Sequence, residues 1–437
     1  MSSSEPNPDL APRPRVPLVL YVIAVTTLLL PEEASFFIGD LRLTVARAIF
    51  IVIAPLVVWR SIEQVTQVYY RFVWSDFWVV LAVVWMLVSV WQTDGADRAI
   101  VGSGSLALDF AVPYLAARFL LREPAQVMTF CRFLTLLIAV AGLLASFDTL
   151  TSRFVTHDLF ASLTGYIKGW RLDILMRNGF LRASGPFEHP ILLGMISGIG
   201  LMLATAQPAR VWLVMGTGIG LASSISAGPI GSAFLGLALL LYAKLTPGFE
   251  GRWRLLMVLA SGLAVALFII SSHPFGMLIS YLTFDQANAY FRLMTWQFAG
   301  DLVLSQPLLG IGLSMDWARP DWMPPTVDAF WLCCAMMFGI PGSVLIFLTV
   351  VGAMSRRVDI AAAHLAAQER RLGLVLSLVL IMLIYTGFTV HYWGATWILI
   401  GLLTGVRATL GAISACASNG WGIEEVDGML RDGDAAA

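Results

Sequence analysis

Long apolar segments follow one another along almost the whole chain, and short polar segments separate them. Most are continuous apolar runs close to the roughly 20 residues that an α-helix needs to cross a bilayer. This pattern predicts an all-α, polytopic membrane protein, and the continuous runs disfavour a strand barrel. We expect about twelve transmembrane helices, near 16–31, 43–59, 77–92, 105–121, 127–147, 190–206, 210–226, 229–244, 255–272, 328–353, 372–389 and 393–410.

The composition agrees with this class. Of the 437 residues, 58% are hydrophobic and 13% are charged, which is more apolar surface than a soluble protein of this length could bury. The formal net charge of −1 gives no indication of a nucleic-acid partner. The four cysteines form neither a CxxC nor a Cys/His set, so the sequence predicts no metal site and no cofactor.

The basic residues set the expected orientation. If the N-terminus is cytoplasmic, alternate short loops carry most of the arginines, as the positive-inside rule requires. The first apolar run lacks a clear signal-peptide cleavage site, so it is interpreted as the first transmembrane helix. Residues 1–410 are then a single membrane domain, and the polar, acidic segment 411–437 is predicted to be a disordered cytoplasmic tail.

Two of the predicted outer loops are long, at 148–189 and at 271–327, the second between helices 9 and 10. Both contain an amphipathic pattern that predicts helices lying at the membrane interface. Basic residues such as Arg153, Lys168 and Arg177 either anchor these helices to headgroups or form a rim that attracts an anionic, lipid-linked substrate. The sequence leaves both interpretations open.

A charged cluster lies in the stretch LRASGPFEHPILLG, where Arg182, Glu188 and His189 precede an apolar run. Pro186 and Pro190 prevent a helix through this stretch and allow one to begin directly after it. A helix N-terminus with an arginine beside it is suited to bind an anion. The alternative is that an ion pair between Arg182 and Glu188 closes the loop.

Further polar positions accompany this cluster. Arg292 begins the stretch RLMTWQFAGDLVLSQPLLGIG, and Asp328 opens VDAFWLCCAMMFGIPG, where it is either a base or a helix N-cap. His391 begins the last outer loop, HYWG, and is either interfacial or part of the site. Arg47 and Asp109 lie inside apolar runs, and charges there are expected to pair with each other in a structural role.

Four stretches resemble, in this order over 182–352, motifs of the O-antigen ligase and polymerase family of bacterial membrane glycosyltransferases. They are RASGPFEHP, SSISAGPIGSAFLG, RLMTWQFAGDLVLSQPLLGIG and VDAFWLCCAMMFGIPG. The resemblance implies a glycosyltransferase C type fold and a metal-independent enzyme. It implies that Arg182 and Arg292 bind pyrophosphate. The chain departs from the family at Val327–Asp328, where a His-Asn pair is usual, and at SISAGPIG, which lacks an arginine. The candidates for the catalytic base are Asp328, His189 and Glu188.

The expected function is transfer of a glycan from an undecaprenyl-pyrophosphate-linked oligosaccharide to a sugar hydroxyl. This would polymerise O-antigen or exopolysaccharide repeat units at the periplasmic face of the bacterial inner membrane, with both termini cytoplasmic. The alternatives are a ligase that joins glycan to lipid A-core and, in another class, a transporter or flippase of lipid-linked substrates. Expected partners are the lipid-linked donor, the glycan acceptor, membrane lipids, and chain-length regulator and flippase proteins.

Overall fold

The computed structural model describes most of the chain as helix. The described residues are 15–38, 41–67, 70–166, 175–177, 179–208, 211–270, 286–315, 317–323, 326–356 and 365–418. The helices are α1 Leu18–Leu29, α2 Val45–Val65, α3 Trp74–Asp94, α4 Ala96–Leu120, α5 Pro124–Thr151, α6 Val155–Thr164, α7 Pro190–Thr205, α8 Val211–Ser223, α9 Ala227–Leu245, α10 Arg252–Ile270, α11 Gln286–Ser305, α12 Phe330–Gly352, α13 Ala367–Thr386 and α14 Ala395–Ser418.

Two short antiparallel hairpins interrupt the helices. The first pairs β1, Ser35–Ile38, with β2, Leu41–Thr44, and the second pairs β3, Met176–Arg177, with β4, Phe180–Leu181. Neither hairpin was predicted from the sequence, because strands of two to four residues are too short to show a period.

Each of the twelve predicted spans overlaps a helix of the structure. Among the described residues, seven helices are long and apolar enough to cross a membrane, namely α2, α3, α4, α5, α9, α12 and α14. Helices α1, α7 and α8 are apolar but shorter. The protein is therefore an all-α membrane protein, and the count of twelve spans stays a prediction.

The segments predicted to lie at the interface divide into two cases. Helix α11 covers the second of them as expected. In the first, α6 ends at Thr164 and the chain turns through Gly165, whose φ of +75° suits a glycine after a helix. The hairpin β3–β4 then occupies 176–181 in place of a continuous helix, and Lys168 lies outside the described residues.

The predicted boundary of the membrane domain also differs from the structure. Helix α14 continues to Ser418, beyond the expected end at 410, and the remainder of the predicted tail, 419–437, lies outside the described residues. So do residues 271–285 at the start of the predicted long loop.

Small residues allow the helices to pack closely. A Cβ at Gly401 of α14 would collide with the Phe110 carbonyl oxygen of α4, and one at Gly405 with that of Tyr114. Such close backbone approach is the usual way in which membrane helices gain contact. The predicted charge pair is confirmed nearby, since Arg47 Nη2 lies 2.6 Å from Asp109 Oδ2.

Helix ends at opposite sides of the bundle carry different polar groups. We call the side that holds the end of α5, the starts of α7 and α12 and the end of α8 the site end. The side that holds the start of α3 and the end of α4 is the far end. The Arg182, Glu188, His189 and Asp328 stretches all lie at the site end.

Candidate anion-binding site

The loop that carries Arg182 is fixed to the end of α5 by Asp148. Asp148 Oδ2 accepts hydrogen bonds from the backbone N–H of Ser184 at 3.1 Å and of Gly185 at 2.8 Å. Gly185 has a φ of +58°, and a Cβ there would lie 2.8 Å from Ala145 Cβ. The glycine is therefore required both by the backbone conformation and by its contact with α5. Asp148 was not predicted as a site residue.

Arg182 is buried against the turn between α8 and α9. Its Nε donates to the Ser224 carbonyl oxygen at 3.3 Å and its Nη2 donates to Ser226 Oγ at 2.6 Å. The backbone continues this contact, since the N–H of Ala183 donates to the Ser223 carbonyl oxygen at 3.0 Å. These bonds join the two stretches RASGP and SSISAGP, which are separate in sequence.

The proposed ion pair between Arg182 and Glu188 does not form. Among the described residues, no carboxylate lies within ion-pair distance of the Arg182 guanidinium. Burial, together with the charge of Arg177, lowers the pKa of Arg182 to about 10. The side chain is thus still a cation at neutral pH, and its protein partners are uncharged.

Arg177, carried by β3, supplies a second cation. Its Nη1 donates to the Ile225 carbonyl oxygen at 3.0 Å, in the turn that also holds Arg182. Its positive charge lowers the pKa of both Arg182 and Arg292, so it lies within electrostatic reach of both. The sequence left Arg177 between an interfacial anchor and a substrate rim. Its position beside Arg182 fits a site residue.

Arg292 of α11 and Asp328 face each other. Burial lowers the pKa of Arg292, and the charge of Asp328 opposes that shift. Desolvation by the surrounding protein raises the pKa of Asp328, and the charge of Arg292 opposes that shift. The Asp328 side chain itself is exposed to solvent, while neighbouring groups desolvate it. We call the surroundings that it shares with Arg292 the recess. We call Arg177, Arg182 and Arg292 the three-arginine cluster.

The N-cap alternative for Asp328 is wrong. Helix α12 begins at Phe330, its N-cap is Ala329, and no side chain forms a cap hydrogen bond there. The Asp328 carboxylate is therefore available to the recess rather than used by the helix.

The glycine-bearing turn PLLGIG joins α11 to a break in α12. The N–H of Ile311 donates to the Met336 carbonyl oxygen at 2.7 Å, and the N–H of Ile340 donates to that of Pro307 at 2.8 Å. Gly339 leaves helical geometry with a φ of +72°, and a Cβ there would collide with the Leu308 carbonyl oxygen. The Gly-Ile-Pro-Gly stretch therefore breaks α12, and the two hydrogen bonds fix the helix of Arg292 against the helix that follows Asp328.

A second group lies on the other side of the Arg182 loop. His189 is the N-cap of α7, where its Nδ1 accepts the Ile191 N–H at 3.1 Å. The Trp393 ring packs against both His189 and His391, at centroid distances of 6.0 and 5.2 Å. Gly394 has a φ of +52°, and a Cβ there would collide with the Glu188 carboxylate. His391 thus lies close to the loop that carries Glu188 and His189.

A buried pair that was not predicted from the sequence also contacts this loop, at Phe187. His157 Nδ1 lies 2.8 Å from Glu33 Oε2, and His157 Nε2 lies 3.0 Å from the Phe187 carbonyl oxygen. Both side chains are almost fully buried. A lone His in a helical pattern and a Glu in a loop gave no signal that they would meet.

Taken together, the site end holds three cations, one carboxylate in a recess, and a neighbouring pair of histidines. In the described part of the chain, no group of three or more His, Cys, Asp or Glu is placed to hold a metal ion. No family model matches the chain, and no curated protein matches it. The chemistry of the site suits an anion, because guanidiniums that are partly shielded from water bind phosphate oxygens.

Proposed function

We propose that the protein is a membrane glycosyltransferase that takes a glycan from an undecaprenyl-pyrophosphate-linked donor and adds it to a sugar hydroxyl. The product would be a polymer of O-antigen or exopolysaccharide repeat units. The observation that carries this proposal is the three-arginine cluster. Arg177 and Arg182 come from the hairpin and loop before α7, Arg292 comes from α11, and the charge of Arg177 reaches both of the others. Asp328 interacts with one of them, Arg292. A structural role would not require three like charges at one place.

The chemistry suits the cluster. When the glycosidic bond to pyrophosphate breaks, negative charge grows on the leaving oxygen. Guanidiniums held in place before the reaction stabilise that charge most where water is sparse. The energy comes from the donor itself, so the proposal needs no nucleotide. Asp328, Glu188 and His189 remain the sequence-derived candidates for accepting the hydroxyl proton.

The position of the cluster supports a lipid-linked donor. Arg177 and Arg182 lie in the hairpin and the loop before α7, and Arg292 lies in α11, which is not among the helices long and apolar enough to cross a membrane. A headgroup pyrophosphate could bind there while its polyprenyl tail stays in the bilayer. The proposal places the site end in the periplasm and the protein in the bacterial inner membrane, with both termini cytoplasmic. The lipid-linked donor and the acceptor glycan are the primary partners, and a flippase and a chain-length regulator are further ones.

The test is deletion of the gene in the native host, followed by analysis of the surface glycan on a size-resolving gel. Complementation uses the wild type, Arg292→Ala, and Arg153→Ala as a matched control. Arg153 is exposed and its guanidinium pairs with Asp158. Protein levels are measured for all three.

The outcomes separate the candidate functions. Single repeat units that wild type and Arg153→Ala restore to long chains, and Arg292→Ala does not, support a polymerase. Long chains that remain on the lipid carrier support a ligase that joins them to lipid A-core. An unchanged surface glycan, or full restoration by Arg292→Ala, contradicts glycan transfer and favours a transporter.

A further inference from the structure

His391 carries a buried polar atom that the fold leaves unsatisfied. Its Nδ1 is buried and has no hydrogen-bond partner among the described residues. Leaving such an atom unsatisfied is costly, so folded proteins rarely keep one without a use for it. Burial lowers the pKa of His391 to about 4. The ring is therefore neutral near pH 7 and keeps a lone pair on one nitrogen.

His189 provides an internal comparison. It also packs against Trp393, but its Nδ1 already accepts the Ile191 N–H as the cap of α7. That bond fixes the proton on Nε2, so His189 offers no accepting nitrogen without uncapping the helix. Of the two histidines at Trp393, His391 is the one whose acceptor is not used by the backbone.

The fold holds the His391 ring beside the recess. The preceding residue is tied to α12, because the Val390 carbonyl oxygen accepts the N–H of Phe330 at 3.0 Å, two residues after Asp328. The ring stacks on Trp393 at an interplanar angle of 21°. The charged and titratable groups around this segment are Glu188 and His189 from the loop before α7, Asp328 before α12, and Arg292 from α11.

We propose that His391 is a catalytic residue that binds the acceptor hydroxyl and takes its proton. In this step the O–H bond breaks and the proton moves to Nδ1, while the acceptor oxygen bonds to the anomeric carbon of the donor. The anomeric bond to pyrophosphate breaks, and its electron pair leaves with the pyrophosphate, which the three-arginine cluster binds. The imidazolium then returns its proton to the solvent. The proposal rests on the proposed function and assigns its acceptor side.

The test uses full-length protein in native membrane vesicles from the deletion strain, in which lipid-linked donor has accumulated. Wild type, His391→Gln, His391→Ala and the control Arg153→Ala are expressed in that strain. The initial rate of chain lengthening is measured per amount of folded protein, at several donor concentrations. We expect His391→Gln to lower the maximal rate roughly 10²-fold. The donor concentration that gives half the maximal rate should stay within about twofold of wild type, because the arginines that bind the donor are intact.

Chemical rescue separates proton transfer from a structural role. Imidazole added to vesicles that contain His391→Ala should restore part of the rate, and the restored rate should rise with pH as neutral imidazole forms. His391→Gln, which fills the cavity, should not respond.

Retention of the wild-type rate by His391→Gln would overturn the proposal. So would a loss that appears only as a higher donor requirement, or a loss in His391→Ala that imidazole leaves unchanged. These results are distinct from failure of the proposed function, in which wild-type vesicles themselves would not lengthen chains.

Discussion

Arg118 at the far end and Arg182 at the site end are buried to nearly the same degree, with 6% and 7% of their surface exposed. Arg118 forms a two-pronged ion pair with Asp76, from Nε at 2.9 Å and from Nη2 at 3.1 Å. The hydroxyl groups of Tyr70 and Tyr114 donate to the same carboxylate. Among the described residues, the Arg182 guanidinium has only a carbonyl oxygen and a serine hydroxyl as hydrogen-bond partners.

This difference separates structural charge from functional charge. Removing a cation from water costs free energy. A carboxylate that lies against the cation offsets this cost when the oxygens of the carboxylate are also hydrogen-bonded. The far end meets that requirement within the protein. Among the described residues, Arg182 at the site end has no carboxylate against it, and Arg177 nearby makes the local potential more positive. An anionic ligand would supply the missing charge, so the two ends should respond in opposite ways to the same substitution.

The largest effect is expected from Arg118→Met. It leaves the Asp76 carboxylate buried without its cation, which costs about 3–5 kcal/mol. We expect a sharp fall in the amount of folded protein extracted in mild detergent and a lower melting temperature. Both can be measured by size-exclusion chromatography after heating.

A second substitution controls for simple loss of packing. Arg118→Met combined with Asp76→Leu removes both charges and should recover much of the lost stability. If Arg118→Met alone melted at the wild-type temperature, the pair would not be structural and the contrast between the two ends would collapse.

The next effect is expected from Arg182→Met. Loss of the hydrogen bonds to Ser224 and Ser226 destabilises the protein, and removal of a buried cation offsets that loss, so the melting temperature should change little. Chain lengthening should instead fall about 10²–10³-fold, as for loss of a group that stabilises developing negative charge. Arg182→Lys should recover part of the rate, since an ammonium keeps the charge but not the planar fork. A lower melting temperature of Arg182→Met, together with normal chain lengthening, would show that Arg182 is structural.

A smaller effect is expected from Arg177→Gln. One charge-assisted hydrogen bond to the donor would be lost, and about 1.4 kcal/mol corresponds to a tenfold weaker affinity. The half-maximal donor concentration should rise about tenfold with little change in maximal rate. The dependence of that concentration on salt should become shallower. An unchanged donor requirement would place Arg177 outside the site.

The sequence made Arg182 and Arg292 visible because charges next to long apolar runs are conspicuous. It paired Arg47 with Asp109 for the same reason, since charges inside spans are costly unless they meet. Asp328 stayed between base and cap, because the choice depends on where α12 begins, and helix ends are uncertain by a few residues. In the structure Ala329, and not Asp328, is the N-cap of α12.

Other residues gave the sequence no usable pattern. Arg177 reaches the site through two-residue strands and a turn at Gly179, where a continuous helix was expected. Asp148 and Asp76 lie near helix ends, where an acidic residue is ordinarily solvated. Asp148 is buried by the loop that carries Gly185, and the Asp76 side chain is buried against Arg118 of α4. Local periodicity does not report contacts between such distant segments.

The smallest effect is expected from Arg153→Ala, which breaks an exposed ion pair. Arg153 Nη2 lies 3.2 Å from Asp158 Oδ2, and the two side chains are 74% and 51% exposed. Exposed pairs contribute about 0–1 kcal/mol, so the melting temperature should stay at the wild-type value. The rate at saturating donor should also be unchanged, and so should the half-maximal donor concentration.

This variant is informative because Arg153 lies at the site end and was one of the residues that could form a substrate rim. If Arg153→Ala raised the donor requirement as much as Arg177→Gln, diffuse positive charge would attract the donor and the three-arginine cluster would lose its special role. If only Arg177→Gln raises the donor requirement, donor binding depends on where the charge lies. An exposed charge is hydrated and screened by salt, whereas a desolvated guanidinium interacts strongly at short range.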